Sequence, residues 1–237
     1  MNTTTYRSAP ARYVFFDLDH TLIPMDSDFG WGSYTVDIGW VERGEFMRRN
    51  EGFYAEYRQG TMDIHAYIEF ATRALRNHSP QECAAALDAY IRNVVAHQVR
   101  PQALELVRQH QRLGDTVVLV TATNAFVTTP IAPLFGIGHL IAVELAKDPT
   151  THWYNGQIAG TPSFRAGKVT RVQQWLHAQG TNLEQATTVF YSDSINDLPL
   201  LEAVKEPVAT NPDPSLRAIA VARGWRVLEL FQEAAPQ

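Results

Sequence analysis

Short β-branched and aromatic runs that alternate with helical patterns constrain this chain more than any other feature. Tyr13–Phe16, Thr116–Val120 and Thr187–Tyr191 read as strands, with weaker runs at Pro207–Thr210 and Arg226–Leu228. Helical patterns fall between several of them, at Pro101–Leu113, Lys168–Gln179, Asp197–Val204 and Pro214–Arg223. Within Lys168–Gln179, the residues Val169, Val172, Trp175 and Leu176 make an i, i+3, i+6, i+7 stripe that suits one buried face. Strands alternating with helices of this length predict βαβ units and an α/β fold with a doubly wound parallel sheet. In such sheets reactive groups gather beyond the carboxyl ends of the strands.

The stretch from Pro24 to Val99 breaks the alternation. It holds no convincing strand and reads as helices at Glu45–Gln59, Asp63–Asn77 and Pro80–Val95, the last opened by Ser79 as cap and Pro80 at the first helical position. The expected organisation is therefore a core of residues 1–23 and 100–237, with an all-helical insert over residues 24–99. Aromatic residues in the insert suit either a ligand pocket or the packing of a small domain. Farther on, Asn155-Gly156 is a favoured two-residue turn and predicts a short antiparallel flap within Leu140–Ile158. The tail Gln232–Gln237 reads as frayed.

The strand ends carry the chemistry. Asp17 and Asp19 stand two residues apart where Tyr13–Phe16 gives out, a spacing that puts both on one face of an extended strand. Carboxylates held that close repel, unless one is protonated or a cation lies between them. A metal site, a proton-sharing pair and an Asp-rich turn all remain open on this segment alone. The second run leads into Thr121-Ala122-Thr123-Asn124, and the third into Ser192-Asp193-Ser194-Ile195-Asn196-Asp197. Lys168 opens the helix before that third strand. Carboxylates at Asp17, Asp19, Asp193 and Asp197 suit Mg²⁺, which takes oxygen ligands and shares its sphere with phosphate. A hydroxyl, free backbone amides and one Lys are what a phosphate dianion needs. Together they describe a phosphoryl-transfer centre.

In this order the segments resemble the haloacid dehalogenase superfamily, in its phosphoserine-phosphatase-like branch. Asp17-Leu18-Asp19-His20-Thr21 is similar to the DxDxT loop, Thr121 to the Ser or Thr of the second motif, Lys168 to the Lys of the third, and Asp193-Ser194-Ile195-Asn196-Asp197 to the DxxND motif. The similarity runs from about Tyr13 to Leu230 and includes a helical cap between the first two motifs. Ser192 and Ser194 depart from it, because many relatives have Gly on either side of the Asp. The resemblance implies a Mg²⁺-dependent phosphatase with Asp17 as nucleophile and Asp19 as general acid and base. It places the metal on Asp17, the backbone carbonyl of Asp19, and Asp193. It assigns phosphate binding to Thr121, Ala122 and Lys168, with Asn196 and Asp197 in support. The implied partner is a small phosphorylated metabolite, phosphoserine-like or histidinol-phosphate-like. Transfer of the phosphoryl group to an acceptor alcohol shares the same first step, and a non-catalytic binding module is the remaining alternative.

Other candidates stay ambiguous. Asp26 and Asp28, where the insert begins, suit either a substrate amine or a helix cap. Arg58 suits a substrate carboxylate or an ordinary helix carboxyl end. Alternation along the strand turns His20 away from the carboxylates, toward packing. The net charge of −5 argues against a nucleic-acid partner. No stretch approaches the length of a membrane span, residues 1–12 lack the apolar core of a secretory signal, and the lone Cys83 fits a reducing compartment, so a cytoplasmic protein is expected.

Overall fold

The computed structural model describes residues 11–231. Residues 1–10 and 232–237 lie outside that range, and with them most of the expectation for the amino-terminal segment and that for the tail.

The strand β1 (Arg12–Phe16) leads into an uninterrupted run of helices: α1 (Ser27–Asp37), α2 (Arg43–Gln59), α3 (Ile64–Ala71), α4 (Arg73–Arg76) and α5 (Pro80–Asn93). Then follow α6 (Pro101–Arg112), β2 (Thr116–Asn124), the short α7 (Ala125–Thr128), β3 (His139–Val143), β4 (Leu145–Lys147) and β5 (Tyr154–Ile158). The chain ends with α8 (Ala166–Ala178), β6 (Thr187–Ser192), α9 (Leu198–Ala203), β7 (Glu206–Thr210), α10 (Pro214–Arg223) and β8 (Arg226–Leu228). Six strands form one sheet in the order β3-β2-β1-β6-β7-β8, and every neighbouring pair is parallel. This is the doubly wound sheet expected from the alternation. The order reverses beside β1, so the carboxyl ends of β1, β2 and β6 meet at the switch point where such sheets bind ligands.

One face of the sheet is covered by α8, α9 and α10, through a cluster that includes Phe15, Val120, Val172, Leu176, Phe190, Leu200 and Leu216. The other face and the inserted helices share a single continuous cluster, which joins Phe16, Leu18 and Leu119 to Trp31, Ile68 and Tyr90. The Tyr90 hydroxyl donates to the carbonyl of Ser27 at 2.8 Å, which ties α5 to the start of α1. Ser79 and Glu82 form the reciprocal cap that the sequence announces at α5.

Two local expectations need correction. The helix expected over Asp63–Asn77 is broken at Thr72, whose hydroxyl donates to the carbonyl of Ile68 at 2.6 Å. The flap is real, since β4 and β5 pair antiparallel, but Asn155-Gly156 lies inside β5. The reversal falls instead at Asp148, whose carboxylate accepts from the amides of Thr150 and Thr151. An Asx turn thus outcompetes the Asn-Gly signal. The start of the same segment, His139–Val143, joins the main sheet as its edge strand.

Candidate active site

The chain leaves the sheet one residue after β1. The Asp17 amide still donates to the carbonyl of Tyr191, at 2.9 Å, and then the carbonyl of Leu18 accepts from the amides of Thr21, Leu22 and Ile23. This tight loop, not strand alternation, aims the side chains. His20 takes a left-handed φ of 56°, and Asn211 holds its carbonyl at 2.9 Å. The expectation that His20 turns away therefore fails: it lines the cleft above the sheet, with Nε2 3.5 Å from the Tyr54 hydroxyl.

Asp17, Asp19, Thr121, Ala122 and Asp193 converge on that cleft, as their strand ends predict. Thr21 sits between two of them. Its Oγ1 lies 3.3 Å from Asp17 Oδ2 and 3.3 Å from Asp193 Oδ1, and it accepts the Asp193 amide at 3.0 Å. Lys168 is 1% exposed and stands behind Asp17, outside the cleft lining. Its Nζ donates to Asp17 Oδ1 at 2.9 Å and to Asp197 Oδ2 at 2.7 Å. Burial alone would depress the ammonium, but the charges of Asp17 and Asp197 outweigh it and hold its pKa above the ordinary value. The residue before it must be glycine: a Cβ on Gly167 would sit 2.2 Å from the carbonyl oxygen of Pro162.

Asp197 is therefore bound to Lys168, and Ser192 Oγ also donates to it at 2.7 Å. Asn196 braces the loop in two directions, donating to the Tyr57 carbonyl at 2.8 Å and accepting from Arg165 Nε at 3.2 Å. The serines that replace the expected glycines serve as acceptors, Ser192 for the Ser194 amide and Ser194 for the Asn196 amide. Neither needs a positive φ.

Asp19 accepts from the Ser27 amide at 2.7 Å and from Thr123 Oγ1 at 2.8 Å. Burial, with the Asp26 charge behind it, pushes its pKa up to about 6. That suits a group that must give a proton and take one back near neutrality. Asp17 and Asp193 are also raised, by burial first and then by neighbouring charge, which in both cases includes Asp197. Among the described residues no three His, Cys, Asp or Glu side chains gather as a metal cluster. Two carboxylates, Asp17 buried and Asp193 half-buried, do face each other across Thr21 and repel. That donor set fits a hard dication that fills its remaining positions with a backbone carbonyl, water and phosphate.

In the inserted helices, Asp26 proves to be the cap of α1: its Oδ1 accepts from the amides of Asp28 and Phe29 at 3.0 and 2.8 Å. Asp28 instead points to Asn124, whose Nδ2 donates to its Oδ1 at 3.0 Å. Arg58 is exposed and does not line the inner cleft itself, but the outer cleft it borders shares His20, Tyr54, Tyr57 and Asp193 with that lining. The aromatic residues divide between both expectations. Trp31, Tyr34 and Tyr90 pack together, whereas Phe53, Tyr54, Tyr57 and Tyr67 line the cleft. Thr123, Asn124 and Arg165 have no assigned role in the sequence, and no local pattern marks their partners.

Asp28 has a measurable energetic consequence. Burial, followed by the Asp26 charge, pushes its pKa from 3.8 up to about 7. An acid raised on folding destabilises the fold once ionised, so the cost is absent below pH of about 4 and complete above about 7. At 1.36 kcal/mol per unit, its ceiling is about 4 kcal/mol. Asp28→Asn is expected to raise the urea midpoint clearly at pH 8 and hardly at pH 4. An equal shift at both would contradict the burial account.

Residues 14–202 match the family of haloacid dehalogenase-like hydrolases. A histidinol-phosphatase of Neisseria meningitidis is 41% identical over 216 residues, covering 91% of this chain and 97% of that protein. A phosphoserine phosphatase of Mycobacterium tuberculosis is 31% identical over 223 residues, covering 90% of this chain and 69% of the other. A Bordetella pertussis protein of unknown function superposes with a TM-score of 0.88 at 46% identity, over 94% of this chain and 100% of that one. A substrate-bound phosphoserine phosphatase shares the fold, with a TM-score of 0.67 at 15% identity over 93% of this chain and 94% of that one. With the motif residues converging at the switch point of the sheet, these similarities give the classification: the chain belongs to the haloacid dehalogenase-like hydrolase family and falls among its phosphatases.

Proposed function

We propose that the protein is a Mg²⁺-dependent phosphatase that hydrolyses a small phosphomonoester through an aspartyl-phosphate on Asp17. The observation that carries this reading is Asp17 itself: a buried carboxylate on the cleft floor, held by Lys168 on one oxygen and Thr21 on the other. Such a group is fixed for in-line attack and loses little entropy on reaching phosphorus.

A carboxylate oxygen of Asp17 bonds to phosphorus as the bond to the alcohol oxygen breaks, and Asp19 gives its proton to that alkoxide. Asp19 then takes a proton from a water that attacks the acyl phosphate, which releases phosphate and restores Asp17. Thr121 and the backbone amide of Ala122 bind phosphoryl oxygens. Lys168 keeps Asp17 ionised and oriented, and Asp197 and Asn196 hold Lys168 and the acidic loop. Asp17, Asp193 and the Asp19 carbonyl are the groups suited to Mg²⁺, which when bound neutralises charge on the transferring phosphate.

Residues 24–99 serve as the cap and residues 100–237 with the first strand as the core. The cleft between them is narrow and lined by both parts, which suits a small metabolite and limits access of water. The two relatives named for a substrate act on histidinol phosphate and phosphoserine, both phosphoesters of amine-bearing alcohols, and that class is assigned here. Cys83, buried and free, fits a reducing, cytoplasmic setting.

The test is release of inorganic phosphate from a panel of small phosphomonoesters. With Mg²⁺ present, free phosphate is expected rather than a new phosphoester when acceptor alcohols are added. A chelator should lower the rate at least about tenfold, and Mg²⁺ should restore it. Full activity in chelator would refute the metal assignment.

A further inference from the structure

We infer that Arg165 is a positioning residue that couples the seating of the inserted helices to the Lys168–Asp17 pair. This goes beyond the phosphatase reading and rests on it for the reaction that the pair serves.

Three residues before Lys168 the backbone takes a conformation suited to glycine. Arg165 has a φ of 51° and a ψ of −126°, the values of the first central residue of a type II′ turn. The Gly167 amide closes that turn on the Phe164 carbonyl at 2.9 Å. Glycine enters this region freely, and a residue with a Cβ is strained in it. The contacts of the Arg165 side chain offset that strain. Its guanidinium lies 4.8 Å from the centre of the Phe164 ring, which packs in turn on Tyr57 of α2. Its Nε donates to Asn196 Oδ1 at 3.2 Å, and its backbone carbonyl accepts from the Lys168 amide at 3.0 Å. Arg165 thus holds Lys168 from both sides, because Asn196 precedes Asp197, which binds Lys168 Nζ.

The inserted helices end on the same spot. Asn196 Nδ2 donates to the Tyr57 carbonyl at 2.8 Å, and the Tyr57 hydroxyl donates to Ser194 Oγ at 3.3 Å. Gly60, the left-handed cap of α2, passes so near that a Cβ on it would stand 3.3 Å from Arg165 Nη2. That Nη2 is buried with no hydrogen-bond partner. The last carbonyls of a helix lack amides of their own and carry partial negative charge. A small shift of α2 onto the core brings such a carbonyl to Nη2 and removes the cost of an unmatched buried donor. The same guanidinium holds Asn196, so the shift is felt at Lys168 and through it at Asp17. An ester that draws the inserted helices down therefore aligns the nucleophile.

The experiment uses Arg165→Gly, which removes the guanidinium and relieves the turn at once. Its urea midpoint should stay close to the parent's, since the relief offsets the lost contacts. Its kcat for histidinol phosphate should fall about 10- to 100-fold, the range for loss of a hydrogen bond from a charged group. Ethylguanidinium in the medium should restore part of that rate and ethylammonium should not, because only the planar fork serves both partners. Arg165→Lys should stay slow for the same reason. Amide hydrogen exchange gives a readout without turnover. When Mg²⁺ and orthovanadate bind the parent, exchange should slow together at residues 56–61, the end of α2, and at residues 166–170, the start of α8. In Arg165→Gly only the second segment should respond. The inference is overturned if Arg165→Gly keeps the parent's kcat, if its loss tracks a fallen urea midpoint without rescue, or if residues 56–61 behave alike in both proteins. A parent that hydrolyses no ester would defeat the phosphatase reading, and exchange would then decide the coupling alone.

Discussion

Asp17→Asn is expected to abolish phosphate release, with kcat lower by at least about 10⁴-fold, the scale on which loss of a covalent nucleophile is felt. The amide keeps the shape and the contact to Thr21, but its oxygen is a poor nucleophile toward phosphorus. Lys168 retains Asp197 at 2.7 Å, so the ammonium is not stranded and the fold should survive. Phosphate release under saturating ester, beside a thermal melt of the same sample, checks both halves. A folded variant that still turns over would remove Asp17 from the role of nucleophile and make water the direct attacker.

The second large effect concerns Lys168. Its Nζ is the counter-charge for two carboxylates, Asp17 and Asp197, in a region where Lys168 is 1% exposed. Lys168→Met fills the same space and leaves both acids facing each other without it. Removing one partner of a buried ionic group costs about 3–5 kcal/mol, because the remaining charge is neither solvated nor paired. The loss should be larger at pH 8 than at pH 5. With its pKa already raised by burial, Asp17 can take up a proton as the solution is acidified and so relieve part of the repulsion. Urea titrations of both proteins at the two pH values decide it, and activity should fall along with stability. A variant as stable as the parent at pH 8 would mean that water reaches these carboxylates.

Much of this architecture is legible in the chain because its signals are local. The apolar runs of β1, β2, β6, β7 and β8 and the Pro-led starts of α5, α6 and α10 depend on neighbours a few residues away. Where two local signals compete, the stronger pattern misleads. Asn155-Gly156 is a strong turn pair, yet Asp148 closes the hairpin first, and His139–Val143 suits a flap until the sheet claims it as an edge. His20 shows the complementary error. Strand periodicity does not extend past Phe16, because the loop that follows replaces it with a φ of 56° at His20.

The order of residues along the chain already sets which groups stand at the strand ends. Asp17, Asp19, Thr121, Asp193 and Asp197 each follow an apolar run, and the chemistry of close carboxylates can be read from spacing alone. How those groups are wired depends on contacts that no local pattern encodes. Lys168 meets Asp17 across 151 residues, Thr123 meets Asp19 across 104, and Asn124 meets Asp28 across 96. Those pairings arise where distant helices and strand ends close on one another, and a contact made by packing distant segments leaves no periodic trace in either of them.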